Sequence, residues 1–122
     1  MPVRLRPADP DEVAAALQRF RAGDASPVDL RLLTKHLLAL LVARAPGGAV
    51  EVRVPPYAVA QCVEGTRHTR GTPPAVVEMD AATWVSVATG GLTWAAAEAS
   101  GRLIASGERS DLTPLLPLLE DR

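Results

Sequence analysis

Near residue 49 the apolar residues of this chain change their period, and that change separates what can be helix from what can be strand. Upstream, Leu30, Leu33, Leu37, Leu40 and Leu41 recur three and four apart, the spacing of one helix face. Downstream, Val50-Glu51-Val52-Arg53-Val54 alternates strictly, the spacing of a strand with one buried side. Pro46-Gly47-Gly48 lies between the two and stops the helix. A chain carrying both patterns has to bury helices against a sheet.

Local signals place the remaining elements. Asp9-Pro10 or Asp11 can cap a first helix, with Val13, Leu17 and Phe20 on one face and Gly23 ending it. Ser26-Pro27 starts a second helix that runs to about Arg44. Serine accepts from free N–H groups, proline at the first helical position has none to satisfy, and Asp29 complements the dipole. Leu32, Leu38 and Val42 widen the apolar stripe, so this helix is expected to be buried over much of its circumference. Pro55-Pro56 turns the chain between strands at 50–54 and 57–63, read as a hairpin or a bent meander. A polar loop, 64–74, precedes a third short strand at 75–79.

Asp80 caps the next helix, which Gly90-Gly91 closes, and Thr93 caps another that ends at Gly101. Residues 102–106 form a fourth strand between glycine breaks. Ser110 or Asp111 then caps a final helix, in which Pro114 falls in the first turn and Pro117 kinks or ends the segment. The order is two helices, three strands, two short helices, one strand and one helix. It predicts an α+β domain, with helices on one face of a mainly antiparallel sheet of about four to five strands. The 122 residues suit a single domain: a helical part at 1–48, strands at 49–79, and a helix-strand-helix closing part at 80–122.

Charge and motifs exclude more than they indicate. The net charge of −1 does not draw the chain to nucleic acid or to an anionic membrane surface. The four aromatic residues are too few for a base-stacking platform, so Trp84 and Trp94 are read as core anchors or pocket lining. The stretch 1–13 lacks the apolar run of a secretory signal and no apolar cluster is long enough to span a bilayer, so no leader and no stable membrane insertion is expected, and the default expectation is the cytoplasm. Cys62, the only cysteine, cannot cross-link within the chain and fits a reducing compartment. With His36 and His68 it makes a poor zinc set, so no metal is expected. Gly47-Gly48 and Gly90-Gly91 close helices instead of joining a strand to a helix, so no phosphate cradle and no cofactor is expected. Cys62 and His68 are six residues apart, a spacing that allows a thiol–imidazole pair, although a cysteine on an alternating strand is more often core. Arg67, His68 and Arg70 make the most basic stretch. They are either an anion or headgroup contact at the mouth of a pocket or a solvated loop paired with carboxylates.

The stretch from Met79 to Leu119 carries a resemblance. Asp80, Trp84, Thr89-Gly90, Trp94, Ser100-Gly101-Arg102, Ser106-Gly107 and the apolar run from Leu112 resemble, in order and spacing, the C-terminal half of the sterol-carrier-protein family of lipid-binding domains. Residues 50–80 look like the actinobacterial branch of that family. The resemblance implies a non-enzymatic carrier with an apolar tunnel between sheet and helices, taking a lipid-like small molecule such as a fatty acyl or isoprenoid chain. Trp84, Val87, Leu92, Trp94, Leu103 and Ile104 would line it, and Leu112, Leu115, Leu116 and Leu118 would close its mouth; each is equally readable as solid core. Two rivals stand beside the carrier. One is an accessory domain without a cavity, a homodimer or a binder of a protein partner. The other is a small thiol enzyme built on Cys62 and His68.

Overall fold

The computed structural model describes residues 5–65, 75–107 and 109–119. Two helices come first, α1 (Pro10–Arg21) and α2 (Pro27–Arg44). The Asp9 carboxylate caps α1 by accepting from the N–H groups of Asp11 and Glu12 at 3.1 and 3.2 Å. α2 opens on a reciprocal capping box: Ser26 Oγ accepts from the Asp29 N–H, and Asp29 Oδ2 accepts from the Ser26 N–H, both at 3.1 Å. Arg19 of α1 then closes a fork on the same carboxylate, with both donor distances at 2.8 Å. That guanidinium, with the Ser26 N–H, holds the Asp29 carboxyl well below the usual carboxylate range. One aspartate thus starts α2 and pins α1 to it.

α2 is the central rod. Leu33, Leu37, Leu38 and Leu41 have no exposed surface, and Thr34, His36 and Ala39 are buried on other sides. The widened stripe has the burial that its breadth predicts: the helix packs against α1, against α3 (Ala81–Ala88) and against the strand β2. Trp84 of α3 is wholly buried, and its indole N–H donates to the Thr34 carbonyl at 3.3 Å.

The sheet has four strands: β1 (Val50–Val54), β2 (Ala58–Cys62), β3 (Ala75–Met79) and β4 (Leu103–Ser106), in spatial order β2-β1-β3-β4. β1 and β2 form the expected hairpin, with Val52 opposite Ala60. β3 and β4 are antiparallel, but β1 and β3 are parallel. The sheet is therefore mixed: two of its three pairings are antiparallel, as the mainly antiparallel reading expects, and one is parallel. The physical reason is topological: β2 runs back along β1 and ends beside Val50, and β3 begins beside Val50 on the other side of β1, so it runs the same way as β1. β2 is also shorter than 57–63. Tyr57 belongs to the turn, where its N–H donates to the Val54 carbonyl at 2.9 Å. Val63 leaves the strand at φ 68°, tied by its N–H to Ala45 O at 2.7 Å and by its carbonyl to Ala49 N at 2.9 Å. Gly47 is required by this approach, because a Cβ there would lie 2.2 Å from the Val63 oxygen.

α3 and α4 (Trp94–Ala99) begin at the caps read from sequence, with Asp80 accepting from the Thr83 N–H and Thr93 from the Ala96 N–H. The final helix is not formed. After Leu112 there is a single 3-10 turn, Thr113–Leu115, and then extended chain. Pro114 and Pro117 each remove an N–H, and a proline also clashes with the preceding helical turn, so two of them three apart leave too little ladder for a helix. The backbone is satisfied from outside instead. Leu118 N–H donates to Ala88 O at 2.7 Å, and Arg44 Nη1 donates to the carbonyls of Leu115 and Pro117 at 2.8 and 3.0 Å.

The helices lie on one face of the sheet. Val50, Val52, Val54, Ala60, Cys62, Val77, Met79 and Leu103 point into the core, while Arg53, Val59, Gln61, Glu78, Ile104 and Ser106 alternate outward and are exposed. Among the described residues no helix is long and apolar enough to cross a membrane.

Candidate functional site

The segment after Leu112 forms a strap between two open grooves. Its ends are anchored by Leu112 and Leu118, 1% and 7% exposed. The first groove, about 190 Å³, lies where α3 turns into α4 and is lined by Val87, Gly90, Leu92, Thr93, Trp94, Thr113, Leu116 and Pro117. The second, about 570 Å³, lies on the other side of the strap, between the end of α2 and the exit of β2. Its apolar surface comes from Ala45, Pro46, Val63, Leu112, Pro114 and Leu115, and its polar rim from Arg44, Glu64, Arg109 and Asp111.

The rim is held by short polar contacts. Arg109 Nη1 donates to the Glu64 carbonyl at 2.8 Å, which ties the exit of β2 to the segment after β4. Asp111 braces the entry to the 3-10 turn, accepting from the Thr113 N–H at 3.0 Å and its hydroxyl at 2.6 Å. Those two bonds keep the Asp111 carboxyl below the usual range. Val63 and Arg109, at φ 68° and 64°, are the non-glycine residues in left-handed backbone among the described residues, and both line this groove. Such a conformation costs roughly 1–2 kcal/mol for an L-residue, and strain of this kind collects at ligand sites.

The residues expected to line a tunnel divide into five groups. Val87, Leu92, Trp94 and Leu116 meet around the first groove, and Leu112 and Leu115 border the second. Leu118 anchors the strap. Trp84 and Leu103 are sealed in the core at 0% and 1% exposure, in a layer where Leu33, Leu37, Val52 and Val77 have no accessible surface either. Ile104 is 65% exposed on the far face of the sheet, because its neighbour Leu103 points inward and alternation turns Ile104 out. Arg67, His68 and Arg70 lie outside the described residues.

Sequence reasoning did not find Arg44, Pro46, Val63 or Arg109 as groove residues. Arg44 reads locally as a cation complementing a helix C-terminus, and nothing local points from it to a carbonyl 73 residues away. Cys62 lies on the core face of β2 with no exposed surface, and burial pushes its thiol up to about 11. His36 Nδ1 accepts the Ala8 N–H at 2.9 Å, and burial lowers the imidazole. Among the described residues there is no group of three or more side chains that could hold a metal ion.

No curated protein matches the chain. A family model described as bacterial SCP ortholog matches residues 27–118, from the start of α2 to the second anchor of the strap. The chain belongs to this sterol-carrier-protein-like family.

Proposed function

We propose that this chain is a non-enzymatic carrier of a lipid-like ligand, with an apolar tail along the strap and a polar end at the arginine-bearing rim. The observation that carries the reading is the second groove. It has an apolar wall from α2, β2 and the strap, two guanidinium groups on one rim, and about 570 Å³ of space, within the roughly 300–1,000 Å³ of small-molecule sites. Its family supports a lipid ligand in general terms. A fatty acyl or isoprenoid chain suits the leucine- and proline-lined wall, where binding would come from apolar burial at roughly 25 cal/mol per Å². Cytoplasmic location is part of the proposal, since the buried free thiol of Cys62 is best preserved in a reducing setting. The raised, enclosed thiol is also a poor nucleophile, which favours the carrier over a thiol enzyme.

The test is native mass spectrometry of protein purified from its own host, followed by denaturation and lipid extraction. A near-stoichiometric acyl or isoprenoid species, lost in a Leu115→Glu variant that keeps its fold, is the expected outcome. Ligand-free protein that also takes up neither added fatty acids nor isoprenoids would remove the carrier reading.

A further inference from the structure

The open face of the sheet carries a pattern that matches its own two-fold image. The strand registers set Arg53 of β1 opposite Val59 of β2, Arg53 beside Glu78 of β3, and Glu78 opposite Ile104 of β4. One row across the sheet therefore reads Val59, Arg53, Glu78, Ile104, with every residue exposed on the face away from the helices. Its outer members are large apolar side chains, 56% and 65% exposed. Its inner members are a cation and an anion. Arg53 is engaged by Glu51 of its own strand at 2.5 Å through Nε alone, which leaves the rest of its planar fork free. The Glu78 side chain makes no hydrogen bond or ion pair among the described residues.

We propose that this face is where a second copy of the chain docks, with a two-fold axis running parallel to the strands between β1 and β3. Rotation about that axis lays β2 over the partner's β4 and β1 over the partner's β3 at the same height. Val59 then meets Ile104, and Arg53 meets Glu78, each contact occurring twice, as an isologous interface demands. An axis perpendicular to the strands would instead set Glu78 over Val76 and Ile104 over Ser106. It would also bring Arg53 over the partner's Glu51, so the cation meets a carboxylate either way; only the first arrangement gives the Glu78 carboxylate a partner and sets Val59 against Ile104.

Shape agrees with charge. Beside Val59 the same face has a depression of about 300 Å³, lined by Arg53, Pro55, Pro56, Tyr57, Val59 and Glu78 among others. In this arrangement it lies under the partner's β4, whose protruding side chain is Ile104. An aliphatic knob entering an aromatic- and proline-walled hollow at each end of a charged centre is the pattern of a small interface with two anchors. The area bounds the strength. Four strands about 4.8 Å apart and four to five residues long give a face of roughly 300 Å² in projection. Counted on both partners this is roughly 600 Å², below the roughly 1,000 Å² of a stable interface, so the dimer is weak and transient and dissociates on dilution.

Sedimentation velocity on the intact protein, from about 5 to about 300 µM, spans the range expected for so small an interface. Wild-type chain is expected to move from monomer towards dimer across it. Arg53→Glu makes both inner members of the row acidic and Glu78→Arg makes both basic, so each variant alone should stay monomeric at the highest concentration. Mixed in equal amounts they should associate, because each supplies what the other now lacks. Ile104→Glu, at a site already exposed and therefore tolerant in the monomer, should abolish the dimer in every combination. Circular dichroism identical to wild type shows that each variant folds. A wild-type chain monomeric throughout overturns the proposal. So does a dimer indifferent to these substitutions, which would place the interface elsewhere, on a strand edge or a helix. Failure of the two charge variants to associate when mixed overturns the assigned axis.

Discussion

Arg44→Met should loosen the strap without unfolding the protein. Methionine keeps an apolar stem beside Ala45 but removes the two hydrogen bonds to Leu115 O and Pro117 O at 2.8 and 3.0 Å. Hydrogen bonds from a charged donor are worth about 1.5–3 kcal/mol each when shielded. These are exposed, so solvent screening reduces the pair to about 1 kcal/mol together. That loss falls on local opening, because Leu112 and Leu118 still bury their side chains and the α2–sheet core is untouched. Amide exchange is the assay. The Leu118 N–H, bonded to Ala88 O at 2.7 Å, is released only when the strap lifts. It should exchange about fivefold faster in the variant, the factor corresponding to about 1 kcal/mol. Amides in the middle of α2 should not change. If the Leu118 amide is unaffected, Arg44 does not fasten the strap; if α2 and strap amides accelerate together, the strap is not a separate unit of opening.

Two further predictions concern buried polar groups. Thr34 Oγ1 is enclosed without a hydrogen-bond partner, so Thr34→Val, equal in shape and similar in helix propensity, should stabilise the chain by about 1 kcal/mol. Urea unfolding with an unchanged slope would register it, and a loss of stability would mean that the hydroxyl is bonded to a buried water. His36, whose ordinary value is 6.5 and whose folded value is lowered by burial, binds protons more readily unfolded than folded. Its contribution is therefore fully present above about pH 6.5 and is lost as pH falls through the folded value. Protonation also removes the acceptor for the Ala8 N–H. The thermal midpoint should decline below pH 6.5 in the wild type, and His36→Asn, which cannot titrate, should flatten that part of the profile.

The sequence was legible where one residue acts on its neighbours. Asp9, Ser26, Asp80 and Thr93 are caps because a short side chain can reach an N–H two or three residues on. Val50 to Val54 is a strand because its period of two matches one buried face. Legibility fell where distant partners decide. The parallel pairing of β1 with β3 depends on which side of the β1–β2 hairpin β3 joins. The strap is extended because Arg44 and Ala88 satisfy its backbone from positions 71 to 73 and 30 residues away. The grooves share this cause: each is bounded by segments that meet only in three dimensions. Ile104 is a different case. Its hydrophobicity suggested lining, yet the alternation that buries Leu103 turns it outward, a consequence that Leu103-Ile104-Ala105-Ser106 already contains.

That alternation also keeps the two proposals separable. Because successive strand residues face opposite sides, Arg53 and Glu78 reach the open face while Val52 and Val77, one position away, fill the core beneath α2. A charge exchange at Arg53 or Glu78 changes no side chain that touches α2, the strap or either strap groove. Leu115→Glu, conversely, alters a groove that shares no lining residue with the depression on the sheet's open face. A carrier that no longer dimerises and a dimer that no longer carries are therefore both attainable with single substitutions. Ligand uptake that fell in step with dimer dissociation across both sets would show instead that the core transmits a change from one face to the other. Leu33, Leu37 and Leu41, wholly enclosed between them, would then be the first residues in which to look for the coupling.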